Sequence, residues 1–124
     1  MKRLPDTELE VMKALWASGP DTPRAALERS LAPFGWAANT INTYLSRLAD
    51  KGFVQVRREG KNNLYTPLVS REAYQAFDSR AVVSRLYGSP RNFVAALARE
   101  GLDRRDLDEL QALLNELSGG RDHG

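Results

Sequence analysis

No cysteine occurs in the 124 residues, which removes disulfides, thiolate metal sites and cysteine nucleophiles together. Histidine occurs once, as His123 in the closing stretch SGGRDHG. Glycine and polar neighbours offer it nothing to pack against, so it reads as a solvated tail residue and not as a ligand or general base, roles that need convergent partners. No apolar run approaches the length that crosses a bilayer, and the opening MKRLPDTELE turns acidic and polar where a signal peptide becomes apolar. A cytoplasmic location is expected, with no membrane partner. No Ser-His-Asp set, metal cluster or phosphate-cradling glycine loop is visible, so the expectation is a protein that is not an enzyme and needs no cofactor.

A hydrophobic fraction of 42% and a charged fraction of 27% describe a folded protein. Its length suits one ordinary domain, or a small domain with an appendage. The net charge of +2 says little by itself; its distribution says more. Residues 1–69 carry ten Lys/Arg against seven Asp/Glu, and residues 70–124 carry eight against nine. The positive excess is N-terminal, and residues 36–69 hold Arg47, Lys51, Arg57, Arg58 and Lys61 against Asp50 and Glu59.

Thr7 with Glu10 three residues on forms a capping-box pattern ahead of Leu9, Met12 and Trp16 at helical spacing. Gly19-Pro20 ends that helix, and Thr22-Pro23 reads as the cap and first residue of a short second one that breaks at Ala32-Pro33-Phe34-Gly35. A third helix, about Ala37 to Lys51, places Ile41, Leu45 and Leu48 on one face and Asn39, Asn42, Thr43 and Ser46 on the other, flanked by Thr40 and Arg47. Gly52 stops it. Phe53, Val54 and Val56, a turn at Glu59-Gly60-Lys61-Asn62, and Leu64-Tyr65-Thr66 closed by Pro67 make a β-hairpin with a basic tip. Ser70 caps a fourth helix to about Tyr87, Ser89-Pro90 opens a fifth that Gly101 closes, and Asp103 caps a sixth. Leu107, Leu110, Leu114 and Leu117 then advance by three, four and three residues, a seam at coiled-coil spacing.

Three helices followed by a hairpin form the layout of a winged helix, whose third helix enters the major groove while the wing lies along phosphates. Ordinary exposed helix faces are rich in Glu and Lys, whereas Asn39, Thr40, Asn42, Thr43 and Ser46 are weaker helix formers able to donate and accept at base edges. That choice favours DNA over a merely solvated face. Arg47 joins them. Arg57, Arg58, Lys61 and Asn62 on the hairpin supply sequence-independent attraction to the backbone, although a charged hairpin also serves to protect a sheet edge. The alternative function is a winged helix that binds a partner protein and no DNA.

The strings LPDTELEVMKALWASG, GWAANTINTYLSRLADKGFV, VRREGKNNLYTPLVSREAY and GLDRRDLDELQALLNEL occur in the order found in the penicillinase-repressor (BlaI/MecI) family of winged-helix regulators, which the chain resembles over about residues 4–117. The resemblance implies a repressor that binds an inverted repeat of short TACA-like half-sites. It carries the family's recognition helix onto Ala38 to Lys51, with Thr40, Thr43 and Arg47 facing DNA and a basic wing at Arg57, Arg58 and Lys61. Some members have basic residues where this chain has Asn39 and Asn42, a departure that leaves the DNA-binding role intact and the operator sequence open. The resemblance also implies release by a regulatory protease that cuts between Asn and Phe in the penultimate helix. Asn92-Phe93 occurs here, but alignment through the final helix puts the family's bond at Ala95-Ala96, and Phe93 reads better as a core residue of the dimer. A cysteine-rich C-terminus, the device of copper-responsive relatives, is missing.

The fold expected is mainly α with a small β-hairpin wing: a winged helix-turn-helix at 1–69, a helical dimerisation region at 70–117 and a flexible tail at 118–124. Three modest helices rarely make a self-sufficient core. Tyr74, Phe77, Val82, Leu86, Phe93, Leu97, Leu107, Leu110, Leu114 and Leu117 are therefore expected to pack against a second copy, and a two-fold dimer matches a palindromic site. Trp16 and Trp36 are expected to pack in the core and not to line a ligand pocket.

Overall fold

The computed structural model describes residues 1–122, so His123 lies outside the described residues. The chain divides into two compact units, Met1–Ser79 and a second beginning at Arg80.

In the first unit, α1 spans Asp6–Ser18. It begins at Pro5, whose carbonyl accepts from the Leu9 N–H at 2.9 Å, with Asp6 and Glu8 in the first turn favouring the positive end of the helix dipole. Thr7 therefore lies inside the helix and caps nothing. Gly19, at φ +83°, ends it. Thr22 and Pro23 form β1. The expected helix cap at Thr22 is also corrected: its backbone pairs with Tyr65, its hydroxyl donates to the Gly19 carbonyl at 2.8 Å, and the side chain is buried. With this dipeptide extended, α2 runs Arg24–Ser30, and a 3₁₀ turn at Ala32–Phe34 leads through left-handed Gly35 into α3, Ala38–Asp50.

Strand β2, Val54–Glu59, and β3, Asn62–Pro67, are joined by Gly60-Lys61, with Gly60 at φ +61° as a tight hairpin requires. The antiparallel sheet has the order β1-β3-β2, with Val56 opposite Tyr65 and Arg58 opposite Asn63. Its core joins Val11, Met12 and Leu15 of α1 to Leu27 of α2, Ile41, Leu45 and Leu48 of α3, and Phe53 and Tyr65 beside them. Glu8 is buried with them and paired with Lys51 at the end of α3, which compensates a carboxylate removed from water.

Helix α4, Arg71–Val82, starts on the expected cap, the Ala73 N–H donating to Ser70 Oγ at 3.1 Å. Its first half packs with the first unit, which runs to Ser79. Tyr74, expected at a dimer contact, is 4% exposed within the single chain. Its hydroxyl accepts from the Leu4 N–H at 2.8 Å, and its ring meets Phe53 edge-on at 5.8 Å. Phe77 packs half-buried against this cluster.

In the second unit, a π-helical turn at Val83–Tyr87 ends on Gly88, followed by α5, Pro90–Gly101, and α6, Arg104–Asp122. The Asn92 N–H donates to Ser89 Oγ, and Asp103 and Asp106 cap one another reciprocally, both as their spacing predicts. Helix α6 runs on to Asp122, past Leu117, so the expected tail at 118–124 is helical over its described part. From Arg80 onward, no residue whose burial is described is fully buried.

Candidate nucleic-acid interface

The third helix is held by its apolar side, which leaves the opposite side free. Ile41, Leu45 and Leu48 are buried, while Asn39, Asn42, Thr43, Ser46 and Arg47 are exposed and Thr40 is half-buried. Arg24, the first residue of α2, donates to the Ala38 carbonyl at 2.7 Å and so ties the two helices of the helix-turn-helix at the start of α3. Thr43 donates back to the Asn39 carbonyl at 3.0 Å, which spends its hydrogen and leaves the oxygen as an acceptor. On the flank beyond Tyr44, Trp36 stacks on Phe34 at 4.6 Å and meets Tyr44 edge-on at 5.1 Å. Trp16 and Trp36 both pack against the core, as expected, although Trp16 is only half-buried and also borders a cleft between α1 and α4.

The sequence presents Arg57, Arg58 and Lys61 as equivalent cations; the fold separates them. Alternation along β2 puts Val56 and Arg58 on one face and Arg57 and Glu59 on the other. Arg57 is bracketed by carboxylates, 3.4 Å from Asp21 and 3.2 Å from Glu59, so much of its charge is balanced within the chain. Arg58 donates only to the Gly60 carbonyl, at 3.2 Å, and neither it nor Lys61 has a carboxylate partner among the described residues. A groove of about 210 Å³ separates the wing from α3, lined by Asn42, Ser46 and Asp50 on one wall and Val56 and Asn63 on the other. Asn63 was missed in sequence, although placing the turn at Gly60-Lys61 sets it opposite Arg58 on the groove side. Asn62 is exposed at the wing tip, paired with Glu59.

The remaining expected dimer residues are in the second unit or lead into it. Val82, Phe93 and Leu110 are half-buried; Leu97, Leu107, Leu114 and Leu117 are exposed, and Leu86 on the π turn is 74% exposed. Asn92 donates from Nδ2 to the Tyr87 carbonyl at 2.9 Å, and Phe93 meets the Tyr87 ring edge-on at 5.1 Å. Both residues of the Asn92-Phe93 pair therefore hold the junction of the π turn with α5. Among the described residues no helix is long and apolar enough to cross a membrane, and no group of three or more carboxylates or histidines is placed to hold a metal.

A helix-turn-helix whose third helix exposes amides, hydroxyls and one arginine, followed by a basic hairpin on the same side, defines a winged-helix DNA-binding regulator. The family model for the Penicillinase repressor matches residues 4–116, and the chain belongs to that family of DNA-binding transcriptional repressors. The Penicillinase repressor of Bacillus licheniformis is 30% identical over 121 residues, covering 94% of this chain and 94% of that protein. The Methicillin resistance regulatory protein MecI of Staphylococcus aureus is 25% identical over 111 residues, covering 88% and 90% respectively. Among solved structures, the DNA-binding domain of the repressor BlaI superimposes with a TM-score of 0.52 at 33% identity, over 60% of this chain and 94% of that one.

Proposed function

We propose that this repressor acts as a cytoplasmic homodimer on an inverted-repeat operator, each copy laying α3 in the major groove and its wing on the adjacent phosphates. The observation that carries the reading is one continuous side of the first unit. Asn39, Thr40, Asn42, Thr43, Ser46 and Arg47 offer hydrogen-bonding groups there, and Arg58 and Lys61 offer charges that have no carboxylate partner among the described residues. Asn42 or Asn39 suits the paired N6 and N7 of adenine, and Arg47 suits guanine or phosphate. Arg58, Lys61 and Asn62 act on the backbone and add affinity for any sequence. No catalytic step and no cofactor enters.

The homodimer is supported by Leu107, Leu110, Leu114 and Leu117, which share one side of α6 and are left uncovered or half-covered by the chain's own second unit. Control by a protease acting on α5 comes from the family resemblance. Of its two bonds, Ala95-Ala96 is the one aligned with the family's position, while Asn92-Phe93 has a packing role of its own at the π turn.

Selection from random duplex DNA, followed by titration of the winner at two salt concentrations, tests the proposal. An enriched inverted repeat whose affinity falls steeply with salt is the expected result. Absence of enrichment, with binding to a protein partner that salt barely affects, would replace it with the interaction-module reading.

A further inference from the structure

A second concavity lies away from the α3 face, wholly within the first unit, where one side of α1 (Leu9, Lys13, Trp16) opposes one side of α4 (Arg71, Tyr74, Asp78). It encloses about 270 Å³, room for a one-ring molecule and near the lower end of small-ligand sites. Its floor is aromatic: the Trp16 and Tyr74 rings lie 6.1 Å apart, inclined at 39°. The polar ends of both rings are already satisfied elsewhere, Trp16 Nε1 donating to the Val69 carbonyl at 2.9 Å and Tyr74 Oη accepting from the Leu4 N–H. With Tyr74 only 4% exposed and Trp16 half-buried, the cleft presents chiefly the Trp16 ring, its polar atom already engaged.

The rim has the opposite character. The Arg71 guanidinium sits over the Trp16 ring at 5.7 Å and has no carboxylate partner among the described residues. Lys13 pairs with the half-buried Glu10 at 3.0 Å, so part of its charge is balanced along α1. The one acid of the cleft, Asp78, is engaged from outside by Arg3 at 2.7 Å. That hydrogen bond raises the Arg3 pKa above its ordinary value. An aromatic floor under Arg71, which lacks a carboxylate partner among the described residues, fits a small aromatic anion.

We infer that the α1–α4 cleft is a binding site for a one-ring aromatic carboxylate, its ring against Trp16 and its carboxylate on Arg71. The assignment is independent of DNA binding. It also puts the ligand beside Val69, on the segment that returns the wing to α4.

Benzoate is the probe, and benzamide the uncharged control of the same shape. In the full-length Trp36→Phe variant Trp16 is the single tryptophan, so its fluorescence reports the cleft alone. The Trp16 indole N–H resonance of the unsubstituted protein gives the same readout should that variant fold poorly. The expected result is saturable binding of benzoate at constant ionic strength, weakened about tenfold in benzamide and in Arg71→Gln by loss of one charge-assisted pair. No saturation up to about 20 mM, equal binding of benzamide, or indifference to Arg71→Gln would each overturn the assignment. A Trp16 signal that follows protein concentration and not benzoate would give the cleft to a second copy and overturn it equally.

Discussion

Cutting the chain after Val69, where the wing ends in sequence, should destroy the winged helix, whereas cutting after Ser79 should leave it folded. The longer fragment keeps Tyr74, which the shorter loses together with Phe77. Removing a buried aromatic side chain costs about 3–5 kcal/mol. Orphaning the Leu4 N–H that donates to Tyr74 Oη costs about 1–3 kcal/mol more if the site stays dry. A unit the size of Met1–Ser79 has a total stability of about 4–12 kcal/mol, so the loss is comparable with the whole. Urea unfolding followed by far-ultraviolet circular dichroism should show a cooperative transition for residues 1–79 and almost none for 1–69. A milder version uses the full chain: Tyr74→Phe keeps the ring and removes only the acceptor. It should lower stability by about 1–3 kcal/mol, each kcal/mol moving the melting temperature of so small a unit by about 4–8 °C. Equal midpoints for the two fragments, together with an unshifted Tyr74→Phe, would show that α4 contributes nothing to the first unit and would return Tyr74 to the dimer.

Arg47→Ala and Thr43→Ala should each weaken binding to the selected operator by about 1–3 kcal/mol while barely changing affinity for random duplex, as measured by fluorescence anisotropy. Unchanged operator affinity in Arg47→Ala would displace α3 from the groove. On the wing, Arg58→Gln or Lys61→Gln should reduce the slope of log affinity against log salt by about one unit, and Arg57→Gln by clearly less, because Asp21 and Glu59 already balance that charge. Equal slopes for Arg57→Gln and Arg58→Gln would refute the division of the wing into two faces. Leu114→Asp, on the exposed side of α6, should convert the protein to a monomer in sedimentation equilibrium and leave the urea midpoint of the first unit in place. A dimer that survives this substitution would remove the α6 seam from the interface.

What could be read along the chain was written in short-range signals. The face of α3 follows from Ile41, Leu45 and Leu48 at helical spacing, and the caps at Ser70, Ser89 and Asp103 each depend on a residue three positions away. The features that were missed depend on distant partners. Thr22 and Pro23 resemble a helix start until Tyr65, more than forty residues on, recruits them as a strand. Glu8 resembles any exposed acid of a first turn until Lys51 reaches it in the core. Tyr74 sits in a helix that the pattern assigns to dimerisation, yet its hydrogen bond is to Leu4 at the start of the chain. Tertiary pairing overrides local propensity in all three cases.

The wing stands between these extremes, and it decides which charges face DNA. Composition marks Arg57, Arg58 and Lys61 as one basic tip, and no local rule distinguishes them. Register does: with a two-residue turn at Gly60-Lys61, Glu59 pairs with Asn62, Arg58 with Asn63 and Arg57 with Leu64. Because Val56 and Asn63 line the groove beside α3, Arg58 must share their face, and Arg57 must point to the side where Asp21 and Thr66 lie. Asp21 is fixed there by an unusual backbone, φ +54°, with its N–H donating to Thr66 Oγ1 at 2.9 Å. The acid that neutralises Arg57 is thus held by the same β1 edge that the helix-start pattern concealed. A one-residue slip in the hairpin would turn every β2 side chain to the other face, bringing Arg58 to Asp21 and taking Val56 off the groove wall. The length of the Gly60-Lys61 turn therefore acts on DNA affinity as directly as the arginines do, and inserting one residue there should cost binding to every sequence even if both charges remain.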